Sequence, residues 1–399
     1  MYPDLSYLFH DLLGTPKDNW LSLFKTFGLF LVMAILAAAW LLRQELKRKA
    51  QEGVFKPEKI SLTTGQPASL WEIGSNALFG FILGYKFVYA LQHFTQLQDD
   101  ASGVLLSLEG NLVMGIAGAL LFGGLKYFDA RRKQLPQPKT EVVEVFPHDR
   151  ISEITIIAAI CGVIGAKFFA VMEDWPKTVT DLVKSFLSGS GLAIYGGLIG
   201  GFIGVYLYLR SKKIPLIPVL DAVAPALIIA YGIGRLGCHF SGDGDWGIPV
   251  SGTHALTGQP YDWSQPPAWL SWLPHWLWAM DYPHNVVNDG QLIEGCQGRY
   301  CNHLVTPVFP TPLYESIMAF AIGGLLWFFR SKLVIPGALF SIYLILNGIE
   351  RYYIEKIRVN HRYEYLFNLT QAEIIALGFI ATGLICLALF RWRWKQRRS

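Results

Sequence analysis

The sequence predicts an all-α protein: a polytopic membrane helix bundle of about nine transmembrane helices, with a large Trp-rich loop outside the membrane. Three observations carry that reading. Of 399 residues, 52% are hydrophobic and only 16% charged, and the mean hydropathy is +0.33. Ordinary globular domains carry about 25% charged residues, so a soluble chain of this length would be poorly covered. Apolar stretches long enough to cross a ~30 Å hydrocarbon layer, about 20 residues each, recur along the chain. Lys and Arg are segregated into alternate loops. The same composition excludes intrinsic disorder, which needs low hydrophobicity and high charge. Five cysteines in this length exclude a small disulfide scaffold. A scattered net charge of +4 offers no footprint for nucleic acid.

The nine stretches lie near 20–43, 72–92, 104–126, 151–173, 190–210, 216–237, 311–330, 333–353 and 371–391, and read as one integral membrane domain over 1–399. Those near 72–92 and 333–353 carry charged or polar groups inside. Gly and Pro within spans are tolerated because neighbouring helices satisfy the freed backbone groups. The first stretch is full length and has no basic n-region before it, so a cleaved signal peptide is not expected.

Basic residues set the orientation. They follow the first stretch (Arg43, Lys47, Arg48, Lys49, Lys56, Lys59), the third (Lys126, Arg131, Arg132, Lys133, Lys139), the fifth (Arg210, Lys212, Lys213) and the seventh (Arg330, Lys332). They recur in the tail (Arg391, Arg393, Lys395, Arg397, Arg398). The segment 239–310 holds a single one, Arg299. With nine spans every cluster falls on one side, so the N-terminus is expected outside and the C-terminus in the cytoplasm. The 239–310 loop is then extracytoplasmic. Its Trp246, Trp263, Trp269, Trp272, Trp276 and Trp278 suit either a loop folded on its own aromatics or one lying on the bilayer surface, where amphipathic rings sit at headgroup level. Cys296 and Cys301 in this loop are disulfide candidates in an oxidising compartment, and no metal site is expected there.

Ionisable groups in or at the ends of spans are functional candidates, because the bilayer makes them costly. Lys86, Glu109, Lys167 and Asp221 lie inside spans. Tyr195, Arg235, Glu315, Glu350, Arg351, Glu355 and Arg358 lie at or near outer ends. Arg351, Glu355 and Arg358 stand at i, i+4 and i+7, the spacing of one face of a continued helix. Two incompletely neutralised arginines suit a phosphate, whose oxygens match the planar guanidinium fork, and at this depth the phosphate is that of a phospholipid. A helix-pinning Arg–Glu network is the alternative. The run Gly234–Gly247 has five glycines in fourteen residues, with titratable His239, Asp243 and Asp245. These read either as proton carriers or as turn and cap residues. The two aspartates are too few for a Ca²⁺ site. Gly196-Gly197 and Gly200-Gly201 read as close helix packing.

At these residues the chain resembles the bacterial phosphatidylglycerol–prolipoprotein diacylglyceryl transferases. The segment Gly191–Gly201 resembles the family helix that usually has His before Gly-Gly; here that position is Tyr195. The run Gly234–Gly247 resembles the family signature, with its arginine at Arg235, its two asparagines replaced by Cys238 and Ser241, and its acidic residue nearest Asp243. Pro310–Glu315 resembles the Pro-Ser-Gln-Leu-Tyr-Glu block, Arg351–Arg358 the late Arg…Glu…Arg block, and Gly162–Lys167 the Gly-Ala-Arg helix. These blocks occur in order over roughly 151–391. The family has seven spans, so about 72–126 reads as an added pair. A short internal echo, Gly80–Phe87 against Gly162–Phe168, fits that reading.

The resemblance implies a transferase at the outer face of the inner membrane. It moves the diacylglyceryl group of phosphatidylglycerol to the lipobox cysteine thiol of a preprolipoprotein signal peptide, and it needs no cofactor. Implied catalytic residues are Arg235, Arg351, Glu355, His239 and Asp243, with the base left open among the last three. Tyr195, Ser241, Arg358, Glu315 and Arg235 are implied substrate contacts, and membrane lipids the surroundings. The competing reading is a transporter or flippase for an anionic solute or lipid headgroup, which would use the deeper Lys86, Glu109, Lys167 and Asp221.

Overall fold

The computed structural model describes residues 1–99, 101–137, 139–173, 193–253, 259–359, 362–363 and 369–396. The starts of the predicted 190–210 stretch and of the Gly191 block, part of the 239–310 loop at 254–258, and the tail residues Arg397 and Arg398 lie outside the described residues. The chain is mostly helical. Its long helices are α1 (Thr26–Gln51), α2 (Leu70–Gln92), α3 (Leu112–Lys133), α4 (Ile151–Glu173), α5 (Ile194–Ser211), α6 (Leu216–Ser241), α7 (Thr311–Phe329), α8 (Ala338–Glu355) and α9 (Gln371–Gln396). Among the described residues, α1, α3, α4 (from Pro147), α6, α7 and α9 are long and apolar enough to cross a membrane. The chain is thus a polytopic membrane helix protein.

Two predicted starts shift for local reasons. Residues Trp20–Leu23 form a separate 3₁₀ turn capped by the Asn19 side chain, so α1 begins at Thr26. The Asn111 side chain accepts from the Met114 amide and starts α3 at Leu112, while Ala101–Leu106 makes its own short helix.

The chain divides into two compact units, Met1–Val54 with Pro215–Ser399, and Phe55–Ile214. In the second unit, α2 packs on α3 and α4 on α5. Both contacts are glycine-lined. A Cβ on Gly80 would stand 2.3 Å from the Gly118 carbonyl oxygen, and one on Gly165 would stand 2.4 Å from that of Gly196. Backbones this close require glycine. A two-stranded antiparallel ribbon, β1 (Glu58–Thr64) with β2 (Lys139–Val145), accompanies them.

In the first unit α6 is central and packs on α1, α7 and α8, while α9 packs on α8. Ile228, Ala319, Leu326 and Leu339 form a buried apolar cluster across α6, α7 and α8. Buried Asp221 of α6 accepts from the amides of Gly337 (2.7 Å) and Phe340 (3.0 Å), and so caps the N-terminus of α8 from a neighbouring helix. Near the same end, buried Glu45 holds Arg48 and Arg330. At the opposite end the N-terminal helix Leu5–Leu13 and the 242–310 loop meet. The Tyr2 amide donates to the Phe240 carbonyl at 2.8 Å, and the Tyr300 amide to the Tyr7 hydroxyl at 3.0 Å. Cys296 and Cys301 are joined in a disulfide.

Candidate active site

The site grows from the end of α6. The helix terminates at Gly242, whose φ of +64° and amide bond to the Cys238 carbonyl (3.0 Å) make a left-handed cap. The turn that follows carries Asp243 and Asp245, and the Asp245 amide donates to Asp243 Oδ1 at 3.2 Å. This reversal brings Asp245 back over the last turns of α6, where it forms an ion pair with Arg235.

Arg235 also meets Glu315, in the first turns of α7, with Nε 2.6 Å from Oε2. Glu315 is fully buried. It accepts a hydrogen bond from the Tyr231 hydroxyl, one helical turn before Arg235, and another from Arg358 Nη1 at 3.1 Å. Arg358 Nη2 donates in turn to Asp245 Oδ1 at 2.8 Å. Arg351 of α8 pairs with Glu355 at 3.0 Å and lies 3.8 Å from Glu315. Arg235, Arg351, Arg358, Glu315, Glu355 and Asp245 therefore form one network, drawn from α6, α7, α8 and the two segments beyond helix ends.

Two expectations change here. Arg358 does not continue the helical face of Arg351 and Glu355, because α8 ends at Glu355. The Ile357 carbonyl accepts from the Ile248 amide at 2.8 Å and Arg358 bridges to Gly247, so the backbone leaves the helix to pair with the loop after α6. Nor are the arginines short of counter-charge: Asp245, Glu315 and Glu355 face them. One donor stays open. Among the described residues, Arg351 Nη1 is buried and makes no hydrogen bond.

The other predicted residues make no ion pair with these arginines among the contacts described. Buried His239 has Nδ1 3.2 Å from the Tyr282 hydroxyl, and its ring stands edge-on to Tyr282. The Ser241 hydroxyl donates to the Cys238 carbonyl and serves the end of α6. Tyr195 lies in the first turn of α5, in the second unit. Cys238, Asp243 and Asp245 bring ligand-type atoms within 4.8 Å of one another, yet Asp245 is already held by two arginines.

The two aspartates of the turn are tuned oppositely. Burial pushes the Asp243 carboxyl above its ordinary value, against hydrogen bonds from Cys238 and the Asp245 amide. Burial also acts upward on Asp245, but Arg235 and Arg358 outweigh it and hold that carboxyl below its ordinary value. Beside Arg358 and Asp245 an open depression of about 560 Å³ is lined by Gly244, Trp246, Val287 and Asn288.

Sequence reasoning missed Tyr231, and it named Asp245 and Glu350 only as candidates without assigning them a role. Tyr231 precedes Arg235 by one helical turn, a spacing that could have found it. Asp245 stood in the glycine-rich run among other titratable groups, and only the turn geometry singles it out. Glu350 is buried at 4% exposure in α8, next to Arg351.

The model of the prolipoprotein diacylglyceryl transferase family matches residues 113–389 of the chain. A phosphatidylglycerol–prolipoprotein diacylglyceryl transferase of Clostridium tetani is 27% identical over 250 residues, 62% of this chain and 84% of that protein. One from Clostridium novyi is 29% identical over 245 residues, 60% and 79% of the two chains. One from Corynebacterium glutamicum is 31% identical over 215 residues, 53% and 60%.

Proposed function

The chain belongs to the prolipoprotein diacylglyceryl transferase family, and from that premise we propose how its own residues serve the transfer. The protein is a transferase of the bacterial inner membrane, with phosphatidylglycerol and a prolipoprotein as substrates. The diacylglyceryl group passes to the lipobox cysteine thiol as a thioether, and glycerol phosphate leaves. Family membership does not favour the transport reading.

The observation that carries the site assignment is the convergence of Arg235, Arg351 and Arg358 on one buried patch with one arginine donor unfilled. As the C–O bond to the diacylglyceryl carbon breaks, charge builds on the departing phosphate. Fixed guanidinium groups stabilise that charge without reorganising. Arg351 Nη1 is ready to take a phosphate oxygen, and Arg235 and Arg358 can exchange a carboxylate oxygen for a phosphate one. Glu315 and Glu355 hold the guanidinium planes in place. Asp245 closes the patch between Arg235 and Arg358. Tyr195, Ser241, His239 and Asp243 are assigned outer contacts with either substrate rather than the phosphate clamp, and the depression beside Arg358 is assigned to the polypeptide that follows the lipobox.

The topology proposed is nine spans, adding α2, α5 and α8 to the six apolar helices. Their 23, 18 and 18 residues give about 27 Å or more at 1.5 Å per residue. The N-terminus and the Trp-rich loop then face outward and the C-terminus the cytoplasm, within one membrane domain in which 72–126 is an added pair. The clustering of Glu45, Arg48 and Arg330 at predicted inner ends, and of the arginine patch at predicted outer ends, supports this arrangement.

The test mixes purified protein with phosphatidylglycerol and a synthetic lipobox peptide and follows peptide mass. A gain of one diacylglyceryl group with the native protein, lost in folded Arg235→Ala, is expected. No gain, with a relative active in parallel, sinks the reading.

A further inference from the structure

The transfer needs a proton acceptor, because the thiolate and not the thiol is the nucleophile. In the arginine patch the carboxylates of Asp245 and Glu315 already accept from guanidinium or tyrosine donors, and Glu355 pairs with Arg351. Glu350 differs. It is 4% exposed, and neither of its carboxylate oxygens accepts a hydrogen bond among the described residues. A buried polar group without a partner is destabilising, at roughly 1–3 kcal/mol. Such a group calls for an explanation, and a catalytic role is one.

Its surroundings name that role. Glu350 sits in electrostatic reach of Tyr231 and Arg235 on α6, Glu315 on α7, Tyr343 and Arg351 on α8, and Arg358 beyond it. It thus adjoins the phosphate clamp without being consumed by it. Its immediate neighbour in the chain is Arg351, the arginine with the open donor.

We propose that Glu350 is the general base that takes the proton of the acceptor thiol. This rests on the transferase reading above. The S–H proton passes to a Glu350 oxygen, and the S–H electron pair stays on sulfur. Sulfur attacks the diacylglyceryl carbon, and the C–O pair leaves with the phosphate of glycerol phosphate. That phosphate carries the proton from Glu350 out of the site, which restores the carboxylate.

The experiment compares native protein with Glu350→Gln, Glu350→Leu and Glu350→Asp in the peptide-transfer assay between pH 6 and 8. Glu350→Gln should lower kcat by about 10²–10⁴-fold, the usual worth of a positioned base, with KM for phosphatidylglycerol unchanged. Its residual rate should climb about tenfold per pH unit as thiolate forms in solution, since a free thiol titrates near 8.5. The native profile should instead bend where the buried carboxyl itself ionises, a break that the Gln variant lacks. Glu350→Leu should be equally inactive yet melt about 2–4 °C higher, because an unpartnered carboxylate has been replaced by an apolar side chain. Glu350→Asp should keep the native pH shape at a reduced rate, and it serves as the reading if the Gln variant does not fold. Full activity of Glu350→Gln overturns the proposal. So does a loss that leaves the pH shape unchanged with Glu350→Leu melting lower, which is the mark of a structural residue. An inactive native protein would instead overturn the transferase reading.

Discussion

The first unit contains two buried arginine–carboxylate clusters, one at each end of its helices, and their difference is instructive. At the predicted cytoplasmic end, Glu45 has both oxygens 3.0 Å from Arg48 Nε, and Arg330 Nε lies 3.1 Å from Oε2. One acid ties α1 to the end of α7, and the Arg48 guanidinium also donates to the Arg330 carbonyl at 3.2 Å. At the other end, three arginines meet Asp245, Glu315 and Glu355, and Glu350 lies next to Arg351 in the chain. There, Arg351 Nη1 and both Glu350 oxygens stay unfilled. The same residue types make a fastening in one place and the proposed reaction site in the other. Each leaves an arginine nitrogen without a hydrogen bond, Arg330 Nε in the first and Arg351 Nη1 in the second; what separates them is Glu350, whose two carboxylate oxygens accept none among the described residues.

The comparison can be broken most directly through its arginines. Arg351→Ala should cut transfer by about 10²–10³-fold, the usual loss on removing one donor to a developing oxyanion, and should also lower the melting temperature, because fully buried Glu355 loses its partner at 3.0 Å; steady-state kinetics and a thermal scan in detergent check both. Glu45→Ala should cost stability alone. It leaves two arginines facing each other and should cost about 3 kcal/mol, the low end for a broken buried pair, because Arg48 and Arg330 keep 23% and 24% exposure. Turnover per folded molecule should stay near native. If Glu45→Ala abolished turnover in folded protein, the division into fastening and reaction site would fail.

Smaller effects sharpen the outer end. Cys296→Ser should lower loop stability by about 2 kcal/mol, the chain-entropy worth of so short a closed loop. Differential protease sensitivity with and without reductant reads this out. The smallest effects concern two aspartates of one turn. Asp243 is raised in the folded state, so its contribution is favourable below the ordinary 3.8 and is lost as pH rises through the folded value. Asp243→Asn should therefore melt higher than native at neutral pH, and the gap should close toward pH 3. Asp245 is lowered, so its contribution is present above 3.8 and lost only as pH falls through the folded value. Asp245→Asn should melt lower at neutral pH and converge in acid. Two shifts of the same sign would contradict the opposite environments assigned to these neighbours.

Much of this architecture was legible in the chain itself, because a bilayer imposes simple rules. Long helices follow from hydropathy, since only internally hydrogen-bonded segments survive in hydrocarbon, and six of those among the described residues are long and apolar enough to cross a membrane. The close packing at Gly196 and Gly200, here on Gly165, follows from small residues at helical spacing. Arg235, Glu315, Arg351 and Glu355 could be placed at one depth by counting along their spans. Depth, however, is a one-dimensional coordinate. That these four meet, that Arg358 joins them from extended backbone, and that Asp245 closes the ring depend on the reversal at Gly242 and on the pairing of Gly247 with Arg358. The contacts of Arg358 with Gly247 and Asp245 join residues more than a hundred positions apart, and no local pattern encodes them. Hydropathy and the family blocks, both local features of the chain, carried the membrane helices and the transferase family. Tertiary packing alone decided which carboxylates the arginines occupy and which one, Glu350, they leave free, because hydrogen-bond satisfaction is a property of the assembled site and not of any segment.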